Sequence, residues 1–99
     1  MKTIWKFQLG VGRVTDVEMP DGARVLTAQA QAGRVYIWAT VDPSVSLTST
    51  RSFEIIGTGW DVDEAPRRYI STVQLSGGEF IFHVFERISI LEALVTSVL

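Results

Sequence analysis

Hydrophobic and polar residues alternate with a period of two along most of this chain. Trp5, Phe7 and Leu9 interleave with Ile4, Lys6 and Gln8, the pattern of a half-buried strand, which Gly10 and Gly12 interrupt. Over residues 14–19 the alternation resumes with Thr15, Val17 and Met19 on one side, and it ends at Pro20-Asp21-Gly22. That trio turns the chain, because proline presets φ and glycine accepts positive φ. Arg24–Gln31 and Arg34–Val41 flank Ala32-Gly33 and predict a hairpin. In its second arm Val35, Ile37, Ala39 and Val41 share one face, and Tyr36, Trp38 and Thr40 the other. Residues 42–50 read as a polar loop, 51–58 as a strand and 61–66 as an acidic loop. Residues 69–75 and 79–86 predict a second hairpin around Ser76-Gly77-Gly78.

Seven short strands with turn chemistry between them predict a mainly β fold: a single antiparallel β-sandwich or partly open barrel over residues 1–86. The last strand is apolar on both faces, with Phe80, Phe82 and Val84 against Ile81, His83 and Phe85. Such strands are covered on both sides. Residues 87–99 offer a cover, since Ile88, Leu91, Leu94 or Val95, and Val98 recur at helical spacing opposite Ser89, Glu92, Thr96 and Ser97. A short C-terminal amphipathic helix is expected there. It either lies over its own sheet or joins a second copy as a homo-oligomer.

Composition narrows the function classes. The chain has 99 residues, 46% of them hydrophobic, a formal charge of −2 and no cysteine. Disulfides and thiolate metal sites are excluded. A mixed, slightly acidic charge disfavours duplex nucleic acid, which calls for a basic stripe. The N-terminus lacks a signal-peptide pattern and no apolar run is long enough to span a bilayer, so a cytoplasmic protein without membrane contact is expected.

The candidate chemistry is sparse. His83 is the single histidine, and no nucleophile motif or metal-ligand spacing accompanies it, so no catalytic residue, metal or cofactor is expected. An enzyme reading would pair His83 with Glu86 or Glu79. Gly57-Thr58-Gly59 follows a strand and could present backbone N–H groups to an anion, although a tight turn or bulge explains it as well. Asp61, Asp63 and Glu64 lack the far glutamate of a calcium loop. Arg67 and Arg68 form the most basic point, bracketed by Trp60 and Tyr69. Arginine beside aromatic rings is the combination that clamps a phosphate and stacks a base. The candidate ligand residues are therefore Gly57, Thr58, Gly59, Trp60, Arg67, Arg68, Tyr69 and His83. Trp5 and Trp38 are expected in the core or an interface.

The opening Met1-Lys2-Thr3-Ile4-Trp5-Lys6-Phe7, the segment Val17-Glu18-Met19-Pro20 to Gly22-Ala23, Ile56-Gly57-Thr58-Gly59 and Phe82-His83-Val84-Phe85-Glu86 together look like a known pattern. As a set they resemble a family of small proteins of unknown function encoded by phages and prophages, over residues 1–86. That resemblance implies no reaction. It implies a phage-type binding protein in the host bacterial cytoplasm, an inhibitor or sequestering protein acting on host defence. Its partner would be a small anionic nucleotide-like ligand, of cyclic-nucleotide or ADP-ribose type, or else a host protein.

Overall fold

The computed structural model describes residues 1–98, and side chains only as far as Val95. Seven strands, β1 (Thr3–Gln8), β2 (Val14–Pro20), β3 (Arg24–Gln31), β4 (Arg34–Val41), β5 (Thr48–Gly57), β6 (Arg67–Leu75) and β7 (Phe80–Arg87), precede one helix, α1 (Ile90–Val98). All pairings are antiparallel. They build a three-stranded sheet of order β1-β4-β3 and a four-stranded sheet of order β2-β5-β7-β6. The predicted sandwich-like β fold with a helical end is therefore the observed one, and it is not a closed barrel.

The alternation read from the sequence decides which residues face inward. Met19, Ile37, Val41, Phe53 and Val84 are the largest fully buried side chains, and Leu9, Val35 and Val73 join them. The β3–β4 turn has positive φ at both Ala32 (52°) and Gly33 (77°), which matches the twist of the paired strands. Both β3 and β6 carry a bulge, at Leu26 and Ile70 respectively. These two edge strands approach one another there. The Ala28 N–H donates to Ser71 Oγ at 2.9 Å, and Ser71 Oγ lies 3.1 Å from Thr27 Oγ1, so one serine ties the two sheets together along that side.

Three boundaries differ from the sequence reading by two residues or more. The fifth strand starts at Thr48 rather than after residue 50. Its first residues are exposed, and their hydroxyls bind carboxylates of the neighbouring elements: Thr48 and Thr50 donate to Glu18, and Ser49 to Asp21. A strand polar on both faces has no hydrophobic signature. The sixth strand starts at Arg67. The helix starts at Ile90, because the Glu92 N–H donates to Ser89 Oγ at 3.0 Å and makes Ser89 its N-cap. Ile88 therefore precedes the helix, and its N–H bonds the Pro66 carbonyl. The Thr96, Ser97 and Val98 side chains lie outside the described residues.

Within the single chain Ile90, Leu91 and Val95 are exposed, and Ile81, His83 and Phe85 stay half-buried on the outer face of β7. Neither Trp5 nor Trp38 is in the core: Trp5 is 41% exposed and Trp38 stands half-buried on the outer face of the three-stranded sheet. Among the described residues no helix is long and apolar enough to cross a membrane.

Candidate functional site

The inner face of the four-stranded sheet reads, layer by layer, from one end of the sandwich to the other. Cross-strand partners share a face, so Phe53 lies beside Glu86 and Ile55 beside Val84. Arg51 flanks Phe53 and closes one end. Its guanidinium holds Glu86 through Nε at 2.6 Å and a second nitrogen at 2.9 Å, and it also donates to the Ala23 carbonyl. The hydrogen bond from Arg51 to Glu86 strengthens the guanidinium's hold on its proton and raises it above its ordinary value. That end is charged: a cavity of about 370 Å³ there is lined by Ala23, Arg51, Arg68 and Glu86.

The other end is open and apolar. Leu9, Val11, Val35, Ile55 and Phe82 line a cavity of about 230 Å³ between the sheets, with Trp60 over it and Arg13 and Arg34 at its rim. The ends of four connections meet here, and the connection from β5 to β6 supplies Trp60. Trp60 packs edge-on against Phe82 with centroids 6.0 Å apart. It lies directly over Gly57, where a Cβ would come within 2.5 Å of the indole. Glycine at the strand end thus leaves room for the ring above it. The Arg13 guanidinium sits 5.8 Å from the Trp60 ring and donates to the Asp61 carbonyl at 2.8 Å.

Arg13 is itself fixed from beneath by Glu54, a carboxylate only 3% exposed. Glu54 accepts from Arg13 Nε at 2.9 Å and from Arg67 Nε at 2.8 Å, with Arg87 Nε at 3.8 Å. Burial alone would raise its pKa, but hydrogen bonds from Arg67 and Arg13 outweigh that and hold the carboxyl below its ordinary value. Arg67 also bonds the Asp63 carboxylate and the carbonyls of Asp63 and Ala65, which fastens the acidic loop. Glu54 thus positions Arg13, and Arg13 positions Trp60. Arg34 has no ion pair among the described residues and is exposed.

The eight candidate residues are separated by this geometry. Gly57 and Trp60 belong to the mouth. Gly59 takes a φ of +88° in the turn between them. Arg67 is spent on Glu54 and Asp63. Arg68, its neighbour on an alternating strand, faces the charged end, 3.5 Å from Glu86 and 3.5 Å from Glu92. Thr58, Tyr69 and His83 meet on the outer face in a chain of hydrogen bonds. The Tyr69 hydroxyl is 2.7 Å from Thr72 Oγ1, which is 3.0 Å from His83 Nδ1, and His83 Nε2 is 2.8 Å from Thr58 Oγ1. Both imidazole nitrogens are therefore occupied by hydroxyls. Glu86 lies on the opposite face of β7 from His83, out of its reach. The Thr58 and Trp60 N–H groups already bond the Ile81 and Gly57 carbonyls. No cluster of metal-ligating side chains occurs among the described residues.

The mouth residues Arg13, Arg34, Val11 and Phe82 were not singled out by sequence. A signal was present: Gly10-Val11-Gly12-Arg13 and Ala32-Gly33-Arg34 each place a cation beside turn residues, and antiparallel order brings those turns to one end.

A family model described as a domain of unknown function, DUF7352, matches residues 1–92, and the chain belongs to that family. The match takes in the whole β-domain and reaches the first residues of α1. No curated protein and no solved structure matches the chain.

Proposed function

We propose that this family member is a non-enzymatic binding protein that takes the ring of a small anionic, nucleotide-like ligand into the mouth of the sandwich. The observation that carries this reading is the contrast between the two ends. An ion pair and Arg68 line the cavity at one, while the other is an apolar opening with an indole over it and, at its rim, an arginine without an ion pair among the described residues. Ligand sites combine an apolar lining with a few polar groups, and this mouth has that composition. At about 230 Å³ it is smaller than the roughly 300 Å³ at which drug-sized pockets begin, so it suits one ring system. Phosphate then stays outside, where Arg34 meets it as a charge-assisted partner and Arg13 keeps the Trp60 ring in place. In the biology of a phage-type anti-defence protein, such binding sequesters a nucleotide-derived immune signal of cyclic-nucleotide or ADP-ribose type in the host cytoplasm.

Calorimetry with cyclic mononucleotides, cyclic dinucleotides and ADP-ribose tests this. At least one binds, is recovered intact after denaturation, and loses about tenfold in affinity with Arg34→Gln or Trp60→Ala, the scale of a lost charge-assisted bond or stacking contact. No heat with any of them overturns the proposal.

A second reading rests on α1. Its Ile90, Leu91 and Val95 are 69%, 71% and 51% exposed, the apolar stripe of a helix that docks on another surface. It would serve a homo-oligomer or an inhibitory contact with a host defence protein. Light scattering and pull-down with and without residues 90–99 separate these: self-association lost on truncation supports the oligomer, and one host protein lost on truncation supports inhibition.

A further inference from the structure

The outer face of the three-stranded sheet differs in chemistry from the rest of the surface. Strands β1, β3 and β4 contain Lys6, Arg24 and Arg34 and no aspartate or glutamate, whereas β2 contains Asp16 and Glu18 and no cation. The negative balance of the chain lies wholly outside this sheet. By register, Lys6 stands beside Trp38, and Gln29 beside Tyr36, on the face turned away from the core. Tyr36 and Trp38 are neighbours on the central strand, with ring centroids 6.0 Å apart. The Lys6 ammonium sits over them, 4.1 Å from the Tyr36 centroid and 5.7 Å from that of Trp38, and it also donates to Gln31. The exposed residues Lys6, Gln8, Arg24, Gln29 and Gln31 flank this pair of rings.

We propose that this face binds single-stranded nucleic acid. Two adjacent aromatic rings on the central strand of an open sheet form a stacking platform for successive unpaired bases. Lys6, Arg24 and Arg34 lie along it as phosphate partners, and the glutamine amides, each both donor and acceptor, meet base edges. Charge complementarity chooses an anionic polymer, and the rings choose one with exposed π-faces. Duplex does not satisfy both, because its bases are stacked and paired. The Lys6 ammonium, parked on the rings in the free protein, moves to phosphate when a base takes its place. This surface is separate from the mouth, and the two meet only at Arg34.

Fluorescence anisotropy of a labelled oligo(dT) or oligo(U) strand against the full chain tests it, with a duplex, inorganic polyphosphate and a neutral β-glucan oligosaccharide as comparison ligands. The single strand binds most tightly. The slope of log K against log salt is about −2, since three phosphate contacts each contribute about −0.7. Trp38→Ala, shown folded by circular dichroism, weakens binding about tenfold, while Trp60→Phe does not. Lys6→Gln, which leaves both rings in place, makes the slope shallower by about 0.7. Absence of single-strand binding overturns the proposal, as does polyphosphate binding equally well and insensitive to Trp38→Ala. Oligosaccharide binding lost in Trp38→Ala would assign the platform to sugar instead.

Discussion

Glu54 and Gly57, three residues apart on β5, set up the mouth in different ways. Glu54 is a buried carboxylate whose charge is held by Arg13 and Arg67, so Glu54→Gln leaves Arg67 short of its principal partner in a buried place. Removing one member of such a pair costs roughly 3 kcal/mol, the lower end of the usual range because Arg67 keeps Asp63. The carboxyl's folded-state pKa lies below its unfolded value. Its contribution is therefore complete above the ordinary carboxylate range and is lost as pH falls through the folded-state pKa. Urea denaturation from neutral to acid pH checks this: the gap between wild type and Glu54→Gln narrows toward acid, and a gap independent of pH contradicts it. Gly57 acts by absence of a side chain. Gly57→Ala pushes the Trp60 indole outward, because the new methyl occupies its place. The half-exposed ring can swing aside, so thermal stability changes little. Iodide quenching of Trp60 increases, measured against a Trp60→Phe control, and ligand affinity at the mouth falls.

At the scale of elements, the strands rest on alternation and the helix on a cap. The hairpin of β3 and β4 and its Ala32-Gly33 turn were legible to the residue, since apolar period and turn chemistry agree there. The start of β5 was not, because Thr48, Ser49 and Thr50 are stabilised by carboxylates on other elements rather than by burial. Likewise Glu54 and Glu86 look like ordinary strand polars in sequence, and only the fold shows arginines converging on each. Seven of the eight candidate ligand residues lie in one stretch, 57–69, but β6 sends Arg67 and Arg68 to opposite faces, so nearness in sequence does not make a cluster. The join between the sheets is another property of pairing rather than pattern. Ser71→Ala leaves the buried Ala28 N–H without its acceptor, and a loss of about 2 kcal/mol in equilibrium unfolding is expected. An unchanged midpoint would show that the bulged edges are joined by something else. Deletion of residues 90–99 is expected to leave the unfolding midpoint of the β-domain nearly unchanged, because the exposed Ile90, Leu91 and Val95 bury little of their surface against it.

Across the whole molecule, polarity is arranged along two axes. From end to end, the interior passes from the Arg51–Glu86 pair through an apolar centre of Phe53 and Val84 to the open mouth under Trp60. From face to face, the three-stranded sheet sets cations without carboxylates beside the Tyr36–Trp38 pair, while β2 on the other sheet is acidic. Neither axis needs a catalytic group, and both suit a protein that holds anionic, base-bearing molecules. The most direct test of binding at the mouth is a ¹H–¹⁵N correlation titration with the tightest nucleotide found by calorimetry. Shifts concentrated on the Trp60 indole N–H and on the amides of Val11, Arg13 and Arg34 are predicted, with Thr58, Tyr69 and His83 responding less. A saturating titration that moves the outer-face residues around His83 and leaves the Trp60 indole unshifted would contradict the account.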